Sequence, residues 1–414
     1  MSEAHRVRRF VVLMVGLPAR GKTYTARKLA GYLSWLGHRC RVFNVGERRR
    51  SLHGARTGPE FFDDRNEEAR AHRRALGLEV LDELLGWLRT DGHVGIYDAT
   101  NSTFEHRELV RARCRAAGVE VLHVEITAND PEIVDENIRE VKLGSPDFAG
   151  LDARTARDEF MRRLAHYERV YEALRPDEGS WIRIVDRGSQ LVLNHIDGYL
   201  PGRMVFFLSN LHVSKRALWL TRHGESEFNL QRRVGGDPPL STKGRSYARQ
   251  LSRAVHEGFG EDAQLEVWTS TLQRSRATAE ATGMAPVVWR TLDEINAGVC
   301  EGMSYEEIRT TMPEVWEARQ RDKFGYRYPL GESYEDVIQR LDRVIIELER
   351  YRTPVLVVSH RAVLRALYAY MVQLPREGVP FIDMPLHAVV ELVPTAYGCL
   401  ERTRRLGPDV GLEA

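Results

Sequence analysis

Two α/β units, each built on a doubly wound sheet, are what this sequence predicts, and three observations carry the expectation. Short apolar runs ending in polar residues alternate with longer stretches of helical spacing along most of the 414 residues. A glycine-rich loop, Gly16-Leu17-Pro18-Ala19-Arg20-Gly21-Lys22-Thr23, follows the first run. A second polar signature, Leu220-Thr221-Arg222-His223-Gly224-Glu225, closes a run past the midpoint. Such alternation places helices on both faces of a parallel sheet.

Taken in order, the strand-like runs of the first half are Phe10–Val15, Cys40–Val45, Val94–Tyr97, Val119–Ile126 and Trp181–Val185. Those of the second half are Ala217–Leu220, Leu265–Trp268, Val287–Trp289, Val355–Val358 and Val389–Val393. Each is short, apolar and bounded by polar residues, as a strand buried on both faces should be. The polar stretch Ser209-Asn210-Leu211-His212-Val213-Ser214-Lys215-Arg216, after a strand-like Met204–Leu208, reads as the junction. Domains at 1–212 and 213–414 are expected, at the usual size of about 100–200 residues each.

Composition excludes more than it selects. Sixty Lys plus Arg against 59 Asp plus Glu give a formal charge of +1, so no global field argues for nucleic acid or an anionic membrane surface. Cys40, Cys114, Cys300 and Cys399 show no CxxC spacing, which fits a reducing cytoplasm and argues against a zinc site or a disulfide framework. Phe10–Val15 is too short to span a bilayer or to act as a signal segment. A cytoplasmic protein is expected.

A strand, then GxxxxGK[ST], then a helix is the context a phosphate-binding P-loop needs, and Tyr24 to Trp35 continues with helical spacing. Gly16 and Gly21 let backbone amides turn toward phosphate oxygens, Lys22 reaches the β and γ oxygens, and Thr23 offers a magnesium ligand. Asp98, ending the run Val94-Gly95-Ile96-Tyr97, is the natural partner carboxylate. It either holds magnesium through water or accepts the acceptor hydroxyl's proton, and as a third reading it caps a following helix. Arg48-Arg49-Arg50 follows a strand on the same expected sheet edge, where ligands of doubly wound sheets bind, and Arg73, Lys142 and Arg163 add cations that match phosphate oxygens.

In the second half, Arg222 and His223, Arg274, and His360 each come just after a strand-like run. On one edge of a parallel sheet they would surround a single phosphate without a metal. Neutral His223 then presents a ring nitrogen to phosphorus, giving a phosphohistidine, while Arg222, Arg274 and His360 stabilise the equatorial oxygens. Glu294 is the best general acid, with a helix-start carboxylate as the plainer alternative.

These residues resemble the bifunctional 6-phosphofructo-2-kinase/fructose-2,6-bisphosphatase family, a P-loop kinase-like domain followed by a phosphoglycerate-mutase-like histidine phosphatase. The likeness extends over Phe43-Asn44-Val45-Gly46, Asp64-Arg65-Asn66-Glu67-Glu68, Asp98-Ala99-Thr100-Asn101, Val141 to Asp147, Phe160-Met161-Arg162-Arg163, Arg233 to Asp237, Gly298-Val299-Cys300-Glu301, Tyr328 to Tyr334 and Ala396-Tyr397-Gly398-Cys399. It implies ATP with magnesium as phosphoryl donor, bound by Gly16, Gly21, Lys22, Thr23, Tyr24 and the stretch Asn137 to Lys142. For fructose 6-phosphate it implies Arg49, Arg50, Arg73, Thr100, Lys142, Arg163 and Tyr167. For fructose 2,6-bisphosphate it implies Asn229, Gly235, Tyr305, Arg319, Lys323, Tyr334 and Arg365 around the catalytic Arg222, His223, Arg274, Glu294 and His360. Arg319 and Lys323, four apart, would share one helix face toward the sugar's other phosphate. A homodimer is implied as well.

Three positions depart from the family pattern. Ala128 replaces the usual cysteine before Asp-Pro, His106 an arginine that grips the sugar phosphate, and Arg361 a glutamine. Neither end carries an extended tail, so control through tail phosphorylation is not expected. Two competing readings are a mutase or broad phosphatase with a weak kinase half and a nucleic-acid end-processing kinase and phosphatase. The second needs basic residues interleaved with aromatics, which are scarce here. A metabolite-sensing module without catalysis is the third.

Overall fold

Phe10–Val15 is buried along its whole length and forms β1, the centre of the first sheet. A computed structural model describes residues 8–54, 58–139, 146–212, 216–260, 264–395 and 398–406. Around β1 stand β2 (Cys40–Asn44), β3 (Val94–Asp98), β4 (Glu120–Thr127), β5 (Trp181–Val185) and β6 (Gln190–Asn194), in the order β2-β3-β1-β4-β5-β6. The first five are parallel, and β6 runs antiparallel at the edge. Because β3 and β4 flank β1 on opposite sides, the strand order reverses at the carboxyl end of β1, where doubly wound sheets bind ligands. Apolar β1 residues Val11, Leu13 and Val15 share a core with Leu81, Leu84 and Leu88 of the helix Glu67–Thr90. Each such leucine contributes about 1.5–3 kcal/mol by leaving water.

The chain divides into two compact units between Leu211 and His212. The second sheet has β7 (Leu218–Arg222), β8 (Glu266–Thr269), β9 (Val287–Val288), β10 (Val355–Ser359), β11 (Ala388–Thr395) and β12 (Gly398–Arg405), ordered β12-β11-β7-β10-β8-β9. Strands β7, β10, β8 and β9 are parallel, with Ser359 level with Arg222 and Val358 level with Thr269. Beyond β7, β11 and β12 run antiparallel.

Two expectations need correction. Met204–Leu208 is not a strand; it lies inside the helix Tyr199–Asn210, burying Met204, Phe207 and Leu208 while Phe206 faces out. That is helical spacing, which a five-residue apolar run does not separate from a strand. Neither sheet is wholly parallel: β6 runs antiparallel at the edge of the first, and in the second β11 and the mostly exposed β12, rich in Glu and Arg, are antiparallel to their neighbours. Charged residues on an edge strand also discourage pairing with other chains. Among the described residues no helix is long and apolar enough to cross a membrane.

Candidate active sites

In the first unit the loop after β1 turns on two glycines whose backbone angles other residues rarely adopt. Gly16 has φ +135°, and a Cβ there would lie 2.4 Å from the Ile126 carbonyl oxygen; Gly21, at φ +93°, precedes the helix Lys22–Trp35. Lys22 is buried and donates from Nζ to the Leu17 carbonyl at 2.7 Å, so its ammonium is wrapped by its own loop. Thr23 and Tyr24 follow on the first turn, half-buried. Asp98, 3% exposed, ends β3 level with Asn44, whose amide donates to the carboxylate. Asp98 does not cap the next helix; Thr103 does, accepting from the His106 N–H.

The backbone after Asp98 is stitched to the loop. Thr100 accepts the Gly16 N–H at 3.1 Å, and buried Asn101, at φ +47°, donates to the Met14 carbonyl at 2.6 Å. Arg107, fully buried, holds the Asn101 carbonyl at 3.1 Å and pairs with Glu178 through two bonds of 2.7 and 2.8 Å. Asn137, closing the helix Pro131–Asn137, donates to the Ala19 carbonyl of the loop at 3.0 Å and accepts from Arg187 at 3.1 Å.

The run of three arginines lies on the helix Val45–His53 rather than in a loop, and its members part company. Arg48 pairs outward with Glu83. Arg49 and Arg50 turn inward to Asp147, where Arg163 joins them: Arg49 Nη2 is 2.7 Å from both carboxylate oxygens, Arg163 Nη1 2.9 Å and Arg50 Nη1 3.4 Å away. Burial would raise Asp147, but the Arg49 and Arg163 guanidiniums outweigh it and hold the carboxyl below its usual range. Phe62 floors this cage, with Arg163 3.7 Å and Arg49 5.1 Å over its ring and Tyr167 6.2 Å away. Arg73 reaches the Phe61 and Asp63 carbonyls of the same turn. Lys142 lies outside the described residues, as do most of Val141 to Asp147 and the pair Ala396-Tyr397. His106 packs toward Gly77, and burial, then Arg74 and Arg107, lower its pKa.

In the second unit the parallel ends of β7, β8 and β10 bring the four expected groups together. The Nδ1 of buried His223 is 2.7 Å from the Gly224 carbonyl, and Arg274 Nε donates to His223 Nε2 at 3.1 Å. A carbonyl only accepts and a guanidinium only donates, so the proton sits on Nδ1 and Nε2 is unprotonated, its lone pair turned to Arg274. Burial, then the Arg274 and Arg222 charges, keep His223 neutral well below the usual imidazole range. His360 lies 5.0 Å away between ring centroids, with Nε2 2.7 Å from Ser270 Oγ. Arg222 ends β7, and burial pushes its pKa down to about 10, leaving it charged at neutral pH. Arg222 Nε and His360 Nδ1 are buried with no hydrogen-bond partner.

Glu294 sits at a helix start, though not its own. Its carboxylate accepts the Arg361 and Ala362 N–H groups, both at 3.1 Å, at the first turn of the helix Arg361–Val372, and its charge reaches Arg222 and Arg274. Asn229 accepts from both the N–H and hydroxyl of Ser226 at 3.0 Å. Gly235, at φ +65°, faces the Glu301 carboxylate closely enough to exclude a side chain, and Glu301 also takes the N–H groups of Gly236 and Ala297. Arg319 stacks 5.2 Å over Tyr305, Lys323 lies 5.2 Å over Phe381, and Arg365 donates to the Tyr334 hydroxyl at 3.1 Å.

Lys323 does not share a helix with Arg319. That helix, Pro313–Arg321, stops because the Asp322 carboxylate takes the N–H groups of Phe324 and Gly325. The two cations still gather: burial, then Arg319, Arg365 and Arg361, lower the Lys323 pKa. Phe62, Arg107, Arg187, Glu301 and His387 were not singled out from sequence. Of these, Glu301 lay inside a quoted motif, and the others carry no local signal.

An α/β unit opening on a phosphate loop, joined to one that gathers two histidines and two arginines at a sheet edge, is the arrangement of a phosphoryl-transfer protein with two separate centres. Residues 1–215 match the 6-phosphofructo-2-kinase family, and residues 218–404 the histidine phosphatase superfamily, branch 1. Curated 6-phosphofructo-2-kinase/fructose-2,6-bisphosphatases from Arabidopsis thaliana and Gallus gallus are each 46% identical over 96% and 94% of this chain, which spans 54% and 83% of their respective lengths. The alpha-ribazole phosphatase structure from Shigella flexneri aligns with a TM-score of 0.41 at 24% identity, covering 47% of this chain and 99% of its own. The chain belongs to the 6-phosphofructo-2-kinase/fructose-2,6-bisphosphatase family.

Proposed function

We propose that this chain is bifunctional, phosphorylating fructose 6-phosphate at O2 with ATP in its first unit and hydrolysing the resulting 2-phosphate in its second. The observation that carries the second reaction is the unprotonated Nε2 of His223, accepting from Arg274 beside Arg222 and His360, with two orphaned buried nitrogens on those last two residues. Buried polar atoms are ordinarily satisfied, and a phosphate would satisfy these. Glu294 would take up a proton from water as the anionic phosphate binds beside it; His223 Nε2 then attacks phosphorus as the bond from phosphorus to O2 breaks, and Glu294 gives that proton to the departing oxygen. Glu294 then takes a proton from water, whose oxygen displaces the imidazole and releases inorganic phosphate.

In the first unit, Lys22 and the loop amides would hold the ATP phosphates, and the arginines around Asp147 would hold the sugar phosphate. Thr23 and Asp98 offer hard oxygen donors of the kind magnesium takes, which would neutralise charge on the transferred group. With a loose transition state, positioning matters more than a strong base, so Ala128 in place of a cysteine is compatible with transfer.

The test is one incubation with ATP, magnesium and fructose 6-phosphate, reading bisphosphate formed and inorganic phosphate released. Lys22→Ala is expected to lower synthesis by about 10²–10³-fold and spare hydrolysis, and His223→Ala to do the reverse. A single substitution that removes both activities from folded protein would contradict separate centres. Hydrolysis of phosphoglycerate as fast as the bisphosphate, unaffected by Arg319→Ala, would favour a broad phosphatase or mutase.

A further inference from the structure

The peptide between Gly224 and Glu225 is gripped from both sides by imidazoles. Its carbonyl accepts the His223 Nδ1 proton at 2.7 Å, and its N–H donates to His387 Nε2 at 3.2 Å. A backbone N–H only donates, so His387 must present a bare Nε2 and be neutral. We propose that His387 is a positioning residue for the hydrolytic reaction: by holding the Glu225 N–H it fixes the peptide plane whose carbonyl keeps the proton on His223 Nδ1 and so keeps Nε2, the atom that attacks phosphorus, unprotonated. This rests on the phosphohistidine reading above and names one device that prepares the nucleophile.

The surroundings of His387 are built to keep that ring in place. It stacks on Tyr247 at 4.8 Å with planes 28° apart, and the Tyr247 hydroxyl bonds Thr221 Oγ1 at 2.5 Å. Thr221 in turn donates to the Ala388 carbonyl at 2.9 Å, and the Leu406 N–H donates to the His387 carbonyl at 2.8 Å. From the other side Gly224 abuts Gly244 of the helix Thr242–Phe259: a Cβ on Gly224 would lie 2.4 Å from the Gly244 carbonyl oxygen. The Gly224 N–H is tied to Thr278 Oγ1 at 3.0 Å. The neighbouring groups are thus tied on both sides, the Glu225 carbonyl by the Ser241 N–H at 2.8 Å, and His387 supplies the acceptor for the N–H of the peptide whose carbonyl meets His223. Lys243 and Arg222 disfavour a charged His387 ring and Glu225 favours it, while burial weighs most and lowers its pKa.

The mechanism makes His387→Leu and His387→Gln unequal. Leucine removes the acceptor; glutamine supplies an amide oxygen at similar reach. In steady-state hydrolysis of fructose 2,6-bisphosphate, His387→Leu is expected to lower kcat by at least about tenfold with KM nearly unchanged, while His387→Gln retains most of it. Nitrogen-15 spectra of substrate-free, histidine-labelled protein, with His223 assigned by its absence from His223→Gln, should show one Nδ1-protonated tautomer in wild type and His387→Gln. His387→Leu should show a mixture. Wild-type kcat together with a single tautomer in His387→Leu, or a glutamine variant as impaired as the leucine one, overturns the inference. If His387→Leu fails to fold, His387→Asn, whose amide is shorter, is judged by the same outcomes. Should wild type not hydrolyse the bisphosphate, the proposed function fails, and the spectra alone decide this inference.

Discussion

Neutrality of His223 is bought by its setting, and that has a pH signature. Burial and two arginines hold both His223 and His360 well below the usual imidazole range, and burial takes His123 in the first unit down to about 4. Hydrolysis is therefore expected to hold its kcat/KM as pH falls through 6.5; a limb at 6.5 that tracks His223 titration would contradict this. Stability moves the other way. An unfolded histidine binds its proton near pH 6.5 while these do not, so stability is full above that pH and is lost below it, by about 1.4 kcal/mol per pH unit for each such histidine. Thermal melts between pH 7 and pH 5 should show the loss. Of the proposed catalytic groups, Arg222, His223, Arg274 and His360 were legible in sequence because each lies at the carboxyl end of a strand or within five residues of it. His387 was not, since its role passes through a backbone N–H 162 residues away.

At the scale of elements, the turn after β3 depends on a strut no local pattern announces. The Arg107–Glu178 pair is fully buried on both sides, and Arg107 also anchors the carbonyls of Asn101 and Glu172. Arg107→Met strands the Glu178 carboxylate in the interior and should cost about 3–5 kcal/mol, since breaking one side of a buried pair leaves an uncompensated charge. Hydrogen exchange at the β3 and β1 amides would report it, and protection equal to wild type would count against the strut. Central strands were readable because full burial demands unbroken apolar runs. Edge strand β12 was not, because exposure removes that demand, and β6 offers only the three apolar residues Leu191-Val192-Leu193. The helix Tyr199–Asn210 was misread for the reason that five apolar residues fit either period.

For the molecule as a whole, the division at Leu211 and His212 separates the two proposed centres along the chain. A chain starting at His212 is expected to fold and retain bisphosphate hydrolysis to within a few-fold, measured as inorganic phosphate released; loss of that activity in a folded fragment would show dependence on the first unit. With a net charge of only +1, long-range steering of anionic substrates should be weak. Capture falls to local cages, and salt should affect both reactions mildly.

One of those cages already holds an anion of its own. With Asp147 among Arg49, Arg50 and Arg163, the proposed acceptor site works as an ion exchanger: a sugar phosphate enters by displacing a tethered counter-ion. The tether makes the resident competitor's concentration constant, so it sets a floor on how weakly charged a successful ligand can be. Dianions should load readily and neutral sugars hardly at all.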